Sequence, residues 1–274
     1  MNDLDSLLEP FGFVSPVREE VETFHESTKI FPARARRFKM ETLEYVSSVR
    51  GVLEISRNRR RYPLAERVAL PDVAASATSL ADCLTARHST RTFRHGDLDI
   101  TELSQVLGCA KVRRHTTLDA GSELKVGLRA YPSAGGLYPI ETYVALRRVR
   151  GLPSCIAHYD PYAHELEIVR SPLDLTALAN ALGGEGVSIP DVPAVIFASA
   201  LFERTTVKYR ERGYRFALLE AGMLTYLYSL GATAIDLDTL HWGGFLDDEV
   251  NDLMGLDGVG ETAVECLFLG PSPS

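Results

Sequence analysis

The chain has 274 residues, of which 45% are hydrophobic and 24% charged, with a formal net charge of -8. That balance describes a globular protein with room for a substantial core, and it argues against intrinsic disorder and against general nucleic-acid binding. No run of 18 or more apolar residues occurs, the start MNDLDSLLEP is acidic where a signal peptide is basic, and Cys83, Cys109, Cys155 and Cys266 lack CxxC or Cys/His ligand spacing, so the expectation is a cytoplasmic chain with reduced thiols, no membrane span and no metal.

Residues 1–75 read as an N-terminal arm or extension, and residues 76–274 as the main domain. The first 29 residues carry seven Asp/Glu against Arg18 and Lys29. From Ile30 to Tyr62 the sign reverses, with nine Lys/Arg against Glu41, Glu44 and Glu54. Met40, Leu43, Val46 and Val49 share one face of a helix expected over Met40 to Val49. The basic residues suit contact with a peptide, a phosphate or a partner protein, or else a solvated face packed over the main domain. Pro63, Pro71 and the small residues from Ala74 to Ala77 form the connection.

A short helix is expected over Ala81 to Arg87, followed by RHSTRTF. If that segment is extended, Arg87, Ser89 and Arg91 point the same way. Two guanidiniums flanking a hydroxyl match the needs of a phosphate dianion, although short Arg/Ser patterns also arise by chance. A helix over Asp99 to Leu107 starts near Asp99 or Thr101. Next, YPSAGGLYP joins strands expected over Leu124 to Ala130 and Glu141 to Val149. Pro132, Ser133, Ala134, Gly135 and Gly136 carry so little bulk that backbone groups can approach a flat ligand, and a plain turn would need only two of them. No phosphate-loop Lys-Ser/Thr or GxGxxG pattern accompanies the glycines.

Cys155 to Arg170 has the pattern of a hairpin around Asp160-Pro161. A helix over Leu173 to Leu182 ends at Gly183-Gly184, and Val192 to Leu201 suits a buried strand. The stretch from Arg204 to Gly231 then sets Lys208-Tyr209 in basic surroundings, ahead of a helix from Glu211 to Leu230 that is apolar almost all round. Such a helix belongs at a domain centre or a subunit interface. A lysine against low-dielectric material becomes a usable neutral base; the alternative is an exposed lysine among arginines. Glu220 is a candidate buried carboxylate with a hydrogen-bonded structural role. Trp242-Gly243-Gly244-Phe245 makes a second tight loop, a helix over Glu249 to Met254 is capped by Asp247 or Asp248 and closed by Gly255, and Thr262 to Leu269 is the last strand. Interleaved helices and hairpins indicate an α+β domain with a central, mostly antiparallel sheet flanked by helices.

Four segments together resemble the SagB-type dehydrogenase branch of the nitroreductase-like flavoproteins: Arg87 to Phe93, YPSAGGLYPIETYV (Tyr131 to Val144), KYRERGYRFALLEAG (Lys208 to Gly222) and GGFLDDEVNDLMGLDG (Gly243 to Gly258). The likeness runs from about Asp82 to Gly270, and FHESTK (Phe24 to Lys29) resembles the N-terminal region of that branch. The resemblance implies a nitroreductase-like homodimer with FMN at the subunit interface beside the long helix. By position, Arg87, Ser89 and Arg91 would hold the phosphate and ribityl chain. Pro132, Ser133, Ala134, Gly135 and Gly136 would lie along the ribityl and isoalloxazine, and Gly243 and Gly244 would approach the ring from the other side. Lys208-Tyr209 matches the catalytic pair of members that oxidise thiazolines or oxazolines to thiazoles or oxazoles in ribosomally made peptides. That implies an azoline-containing precursor peptide as substrate and a cyclodehydratase as partner. The terminus FLGPSPS lacks the basic residue that other nitroreductase-like enzymes set against the phosphate; Arg129, Arg212 or Arg215 either contributes to that site or serves as a structural ion-pair partner. An NAD(P)H-dependent nitro- or quinone-reductase and a flavin-free docking subunit are the competing readings.

Overall fold

The computed structural model describes residues 18–48, 51, 59–74, 76–117, 125–183 and 190–273; the acidic first 17 residues, Val49, Arg50 and Arg57 lie outside the described residues. Strands β5 (Ile140–Leu146), β9 (Ala194–Leu201) and β11 (Glu261–Pro271) are adjacent interior strands of the sheet, with β5 at its centre. The first two are buried on both faces because helices cover them, and their polar residues Glu141, Thr142 and Ser199 are buried as well. They join β1 (Glu66–Ala69), β7 (Cys155–Asp160), β8 (Glu165–Arg170) and β10 (Leu237–His241) in a seven-stranded sheet of order β1-β8-β7-β5-β9-β11-β10. All pairings in it are antiparallel. Two small ladders lie apart from it: β2 (Leu98–Asp99) with β6 (Val149–Arg150), and β3 (Arg114–Thr117) with β4 (Lys125–Leu128).

Helices fill both faces. On one side, Ile140, Val144, Ile196, Ala198 and Leu267 pack against α4 (Ile100–Gly108) and α7 (Arg212–Thr233). On the other, Tyr143, Val195, Phe197 and Phe268 pack against α5 (Leu175–Gly183) and α8 (Asp247–Met254). Of the two candidate starts, Asp99 is the N-cap of α4, and it forms a capping box with Glu102. Helix α8 differs: Leu246 is its N-cap with no side-chain bond, and Asp247, Asp248 and Glu249 occupy the first turn, where the helix dipole favours negative charge. Helix α3 (Leu80–Ala86) leads into residues 87–91.

The stretch read as a basic lead-in to one long helix is two helices. Helix α6 (Glu203–Tyr209) ends at Arg210, whose φ of 51° and ψ of -143° break the path before α7 begins. A non-glycine residue there is strained by about 1–3 kcal/mol. Nor is α7 buried all round. Ala217, Glu220, Ala221, Leu224 and Tyr228 face the sheet, whereas Leu218, Leu219, Met223 and Tyr226 form an exposed apolar stripe.

The N-terminal segment holds α1 (Arg18–Ser27) and α2 (Pro32–Ser47), the latter beginning well before Met40 with a proline in its first turn. Arg215 ties α1 down, donating to the Thr28 hydroxyl at 2.6 Å and the His25 carbonyl at 2.6 Å. Residues 59–62 are strapped to the sheet. Arg59 pairs with Asp160, Arg60 reaches Glu261 at 2.8 Å, and the Tyr62 amide donates to Glu167.

Under that strap, fully buried His158 sits between Glu141 at 2.9 Å and Glu167 at 3.1 Å. Burial works against its charged form, but the two carboxylates outweigh this and raise its pKa. Burial likewise opposes ionised Glu141, yet Arg204 and His158 hold its pKa down to about 2. Replacing His158 with Ala leaves two carboxylates facing each other in the core. The expected loss is about 3–5 kcal/mol, read as a lower urea midpoint.

Candidate active site

Tyr131 and Tyr138 bracket the small-residue loop, and two arginines fix it from behind. Arg129 donates to the Tyr131 hydroxyl at 2.7 Å, and its own amide donates to the Tyr138 hydroxyl at 2.9 Å. Arg204 donates to the Tyr138 carbonyl at 2.8 Å and pairs with Glu141 at 2.6 Å. The Ser133 hydroxyl accepts from the Tyr138 amide at 2.8 Å. Within this frame Ala134–Gly136 makes one tight turn, with Gly135 at φ 66° and Gly136 at φ 69°. A side chain at Gly135 would press into Lys208 Nζ and come within 2.7 Å of the Tyr209 hydroxyl. Glycine is therefore required there for close approach as well as for backbone conformation.

That contact places Lys208 and Tyr209 together on the loop. Lys208 is 7% exposed, and burial lowers its pKa; no carboxylate pairs with it among the described residues. Its ammonium nitrogen lies 5.0 Å from the centre of the Tyr209 ring, and burial raises the pKa of that tyrosine. Phe216 meets the Tyr209 ring edge-on at 5.0 Å, and Phe38 of α2 stacks on it at 6.4 Å. An exposed-lysine reading of Lys208 is thus excluded.

Arg87, Ser89 and Arg91 lie elsewhere. Ser89 forms a bridge with Thr239 of β10, the Thr90 amide donates to the Thr239 carbonyl at 3.1 Å, and the Thr90 hydroxyl donates to Asp238 at 2.7 Å. Buried Thr90 between exposed Ser89 and Arg91 matches the alternation expected of an extended segment. Register then measures the separation. Thr239 pairs with Leu269, Leu269 with Ala194, and Ala194 with Leu146, the far end of β5 from Ile140 and the Gly135 turn. Six residues of strand and three strand spacings correspond to about 20 Å along the sheet and about 14 Å across it. The chain brings Lys208, Tyr209 and residues 132–136 together but not Arg87, Ser89 and Arg91. Gly243 and Gly244 follow β10, where the Trp242 indole donates to the Leu182 carbonyl at 2.7 Å and lies 3.2 Å from where a Gly244 side chain would start.

Within one chain, Arg129, Arg212 and Arg215 sit at the Ile140 end of the sheet, as structural anchors or beside Tyr209, away from their own Arg87 and Arg91. Arg87 and Arg91 have no carboxylate partner among the described residues, and with the Ser89 hydroxyl they fit a phosphate dianion. The side-chain-free turn at Gly135 fits a flat ring.

The sequence marks Glu220 as a candidate buried carboxylate with a hydrogen-bonded structural role; it is buried, but neither oxygen makes a hydrogen bond of normal geometry. It faces Ser133 beneath the loop, and burial raises its pKa to about 7, against partial opposition from Ser133, Arg129 and Arg204. The folded state therefore holds a proton that the unfolded chain releases near 4.5. Stability should fall as pH rises from about 4.5 to about 7, by about 3 kcal/mol, and level off on either side. Glu220→Gln should flatten that slope in urea titrations across this range.

The nitroreductase-family profile matches residues 84–270. The chain belongs to the nitroreductase family. This nitroreductase-family chain is 32% identical over 192 residues to the Methanocaldococcus jannaschii protein MJ1384, covering 68% of this chain and 88% of that one. It is 32% identical over 133 residues to McbC, the microcin B17-processing protein of Escherichia coli, covering 47% of this chain and 49% of McbC. The matched stretch thus spans about half of McbC. In fold, it superposes on the solved E. coli microcin synthetase McbBCD complex with truncated pro-MccB17 bound, with a TM-score of 0.59, 24% identity and 93% coverage of each chain. The α+β nitroreductase-like architecture and the branch-level resemblance are both borne out. Among the described residues no helix is long and apolar enough to cross a membrane.

Proposed function

We propose that this protein is an FMN-dependent azoline dehydrogenase that oxidises thiazoline or oxazoline rings in a ribosomally made peptide, acting as a homodimer. The observation that carries the reading is the buried, carboxylate-free Lys208 held with Tyr209 against the Gly135 turn. Kinship with a microcin-processing protein supports the peptide substrate. Arg87, Ser89 and Arg91 of one protomer would hold the phosphate, with Gly243 and Gly244 close to the ring. Residues 132–136 of the other would lie along the isoalloxazine and bring their own Lys208 to it. The exposed stripe Leu218, Leu219, Met223 and Tyr226 suits the contact between protomers.

Bound FMN supplies the two-electron acceptor that takes a hydride from one ring carbon. Lys208, whose charged form burial disfavours, would take the proton from the neighbouring carbon at Nζ as the free amine. Tyr209 orients the azoline from the same side, its ring fixed by Phe216 and Phe38. Arg129 and Arg204 keep the loop in place without touching the reacting atoms. The likeness to McbBCD extends the proposal to a cyclodehydratase partner that delivers the azoline peptide.

A visible spectrum of the purified protein tests for the flavin, and a colourless protein that refuses FMN would favour a docking subunit instead. Incubating the FMN-loaded protein with an azoline peptide under air should remove two hydrogens per ring by mass. Unchanged peptide mass, together with rapid bleaching of the flavin by NAD(P)H, would assign the protein as a reductase.

A further inference from the structure

A cavity of about 490 Å³ separates α2 and the end of α1 from the corner between α6 and α7. Tyr209 lines its wall, and Lys29, Arg34, Arg37, Arg210 and Arg212 surround it, opposed by Glu41 and Glu211. Glu41 already serves two of these cations, Arg37 at 2.8 Å and Arg210 at 3.3 Å, while Lys29 pairs with Glu26 outside the cavity. Arg34 and Arg212 have no carboxylate partner among the described residues, and Arg212 Nε is buried without a hydrogen-bond acceptor. A buried guanidinium N–H left unpaired carries a desolvation penalty that an incoming acceptor would remove. This concentration of positive charge stands out in a chain of net charge -8.

We propose that the cavity binds carboxylate side chains of an acidic peptide segment flanking the ring to be oxidised, an inference that rests on the peptide-substrate reading above. Three observations converge on it. Guanidiniums without partners are matched to carboxylates in geometry and charge. The volume is that of a ligand pocket and admits a few residues of extended chain. Tyr209 is shared between this cavity and the Gly135 turn, so a segment held here lies next to the reacting position. Lys29, Arg34 and Arg37 come from the N-terminal segment, which would therefore select the peptide while the nitroreductase-like domain carries the chemistry.

The test uses the full-length, FMN-loaded protein and fluorescein-labelled short peptides without an azoline, identical except for Asp, Asn or Lys at the same positions. Anisotropy should show the Asp peptide binding about tenfold more tightly than the Asn peptide at low salt, with the preference shrinking as salt is raised. Arg34→Glu, at an exposed position on α2, should abolish the preference, and Arg212→Gln should reduce it, with thermal melts confirming that both variants fold. Equal affinity for the Asp and Asn peptides would overturn the proposal, as would a preference that survives both substitutions combined. Displacement of the Asp peptide by NADPH, together with loss of NADPH-driven flavin bleaching in Arg34→Glu, would reassign the cavity to a nucleotide phosphate. Binding is read without turnover, so a peptide that binds by charge while its azoline counterpart is left unoxidised would defeat the dehydrogenase reading and leave this one standing.

Discussion

Lys208→Ala should abolish azoline oxidation while the flavin spectrum persists. The side chain lies against the Gly135 turn, is 7% exposed, and has no carboxylate among the described residues to hold it in the ammonium form. Positioned general bases contribute about 10²–10⁴-fold, so the residual rate should fall by at least that range. The pH dependence follows from the direction of the shift. Burial lowers the Lys208 pKa from the ordinary 10.5, and the neutral amine is the active form. The rate should therefore rise with pH through a pKa below that of a free lysine and then level off. Lys208→Arg should remain inactive at every pH, because a guanidinium stays charged. Single-turnover flavin reduction by an azoline peptide, followed across pH, measures the wild type and both variants. A Lys208→Ala protein that reduces its flavin at the wild-type rate would remove Lys208 from the mechanism, and one that loses its flavin would make Lys208 a cofactor ligand.

The elements legible in the sequence are those set by local chemistry. The Cys155 to Arg170 hairpin announces itself through its turn residues, the start of α4 through Asp99, and β9 through an apolar, β-branched run. The need for glycine at 135 was also legible, although not what would press on it. The break at Arg210 was not, because neither glycine nor proline marks it, and its ion-pair partner Glu41 lies 169 residues away. Which side of α7 meets the sheet was hidden for a different reason. A helix apolar all round has no polar face to mark the solvent side, so the exposure of Leu219 and Met223 depends on where β5 and β9 lie. Glu141, His158 and Glu167 come from three different strands, and only the register of β5, β7 and β8 brings them into one cluster.

Register also produces the prediction that most directly tests how the site is assembled. Residues 87–91 lie at the Leu146 end of the sheet and the Lys208 corner at the Ile140 end, so one chain cannot close both around a single flavin. Arg87→Ala with Arg91→Ala should lose bound FMN, and Lys208→Ala should keep FMN but lose turnover. Co-expression of these two defective chains under different affinity tags, with purification through both tags, yields heterodimers. In a two-fold dimer with shared sites, one site in each heterodimer inherits both defects and the other inherits neither. The heterodimer should therefore recover about half the wild-type rate per dimer and bind FMN at the intact site. A site built within one chain leaves each half of the heterodimer with one defect and no turnover at all. Activity restored by mixing two inactive chains would thus establish that Lys208 of one copy works beside the flavin phosphate site of the other. An inactive heterodimer of confirmed composition would require the 87–91 segment to move some 20 Å or more within its own chain, against the Ser89–Thr239 and Thr90–Asp238 contacts that hold it.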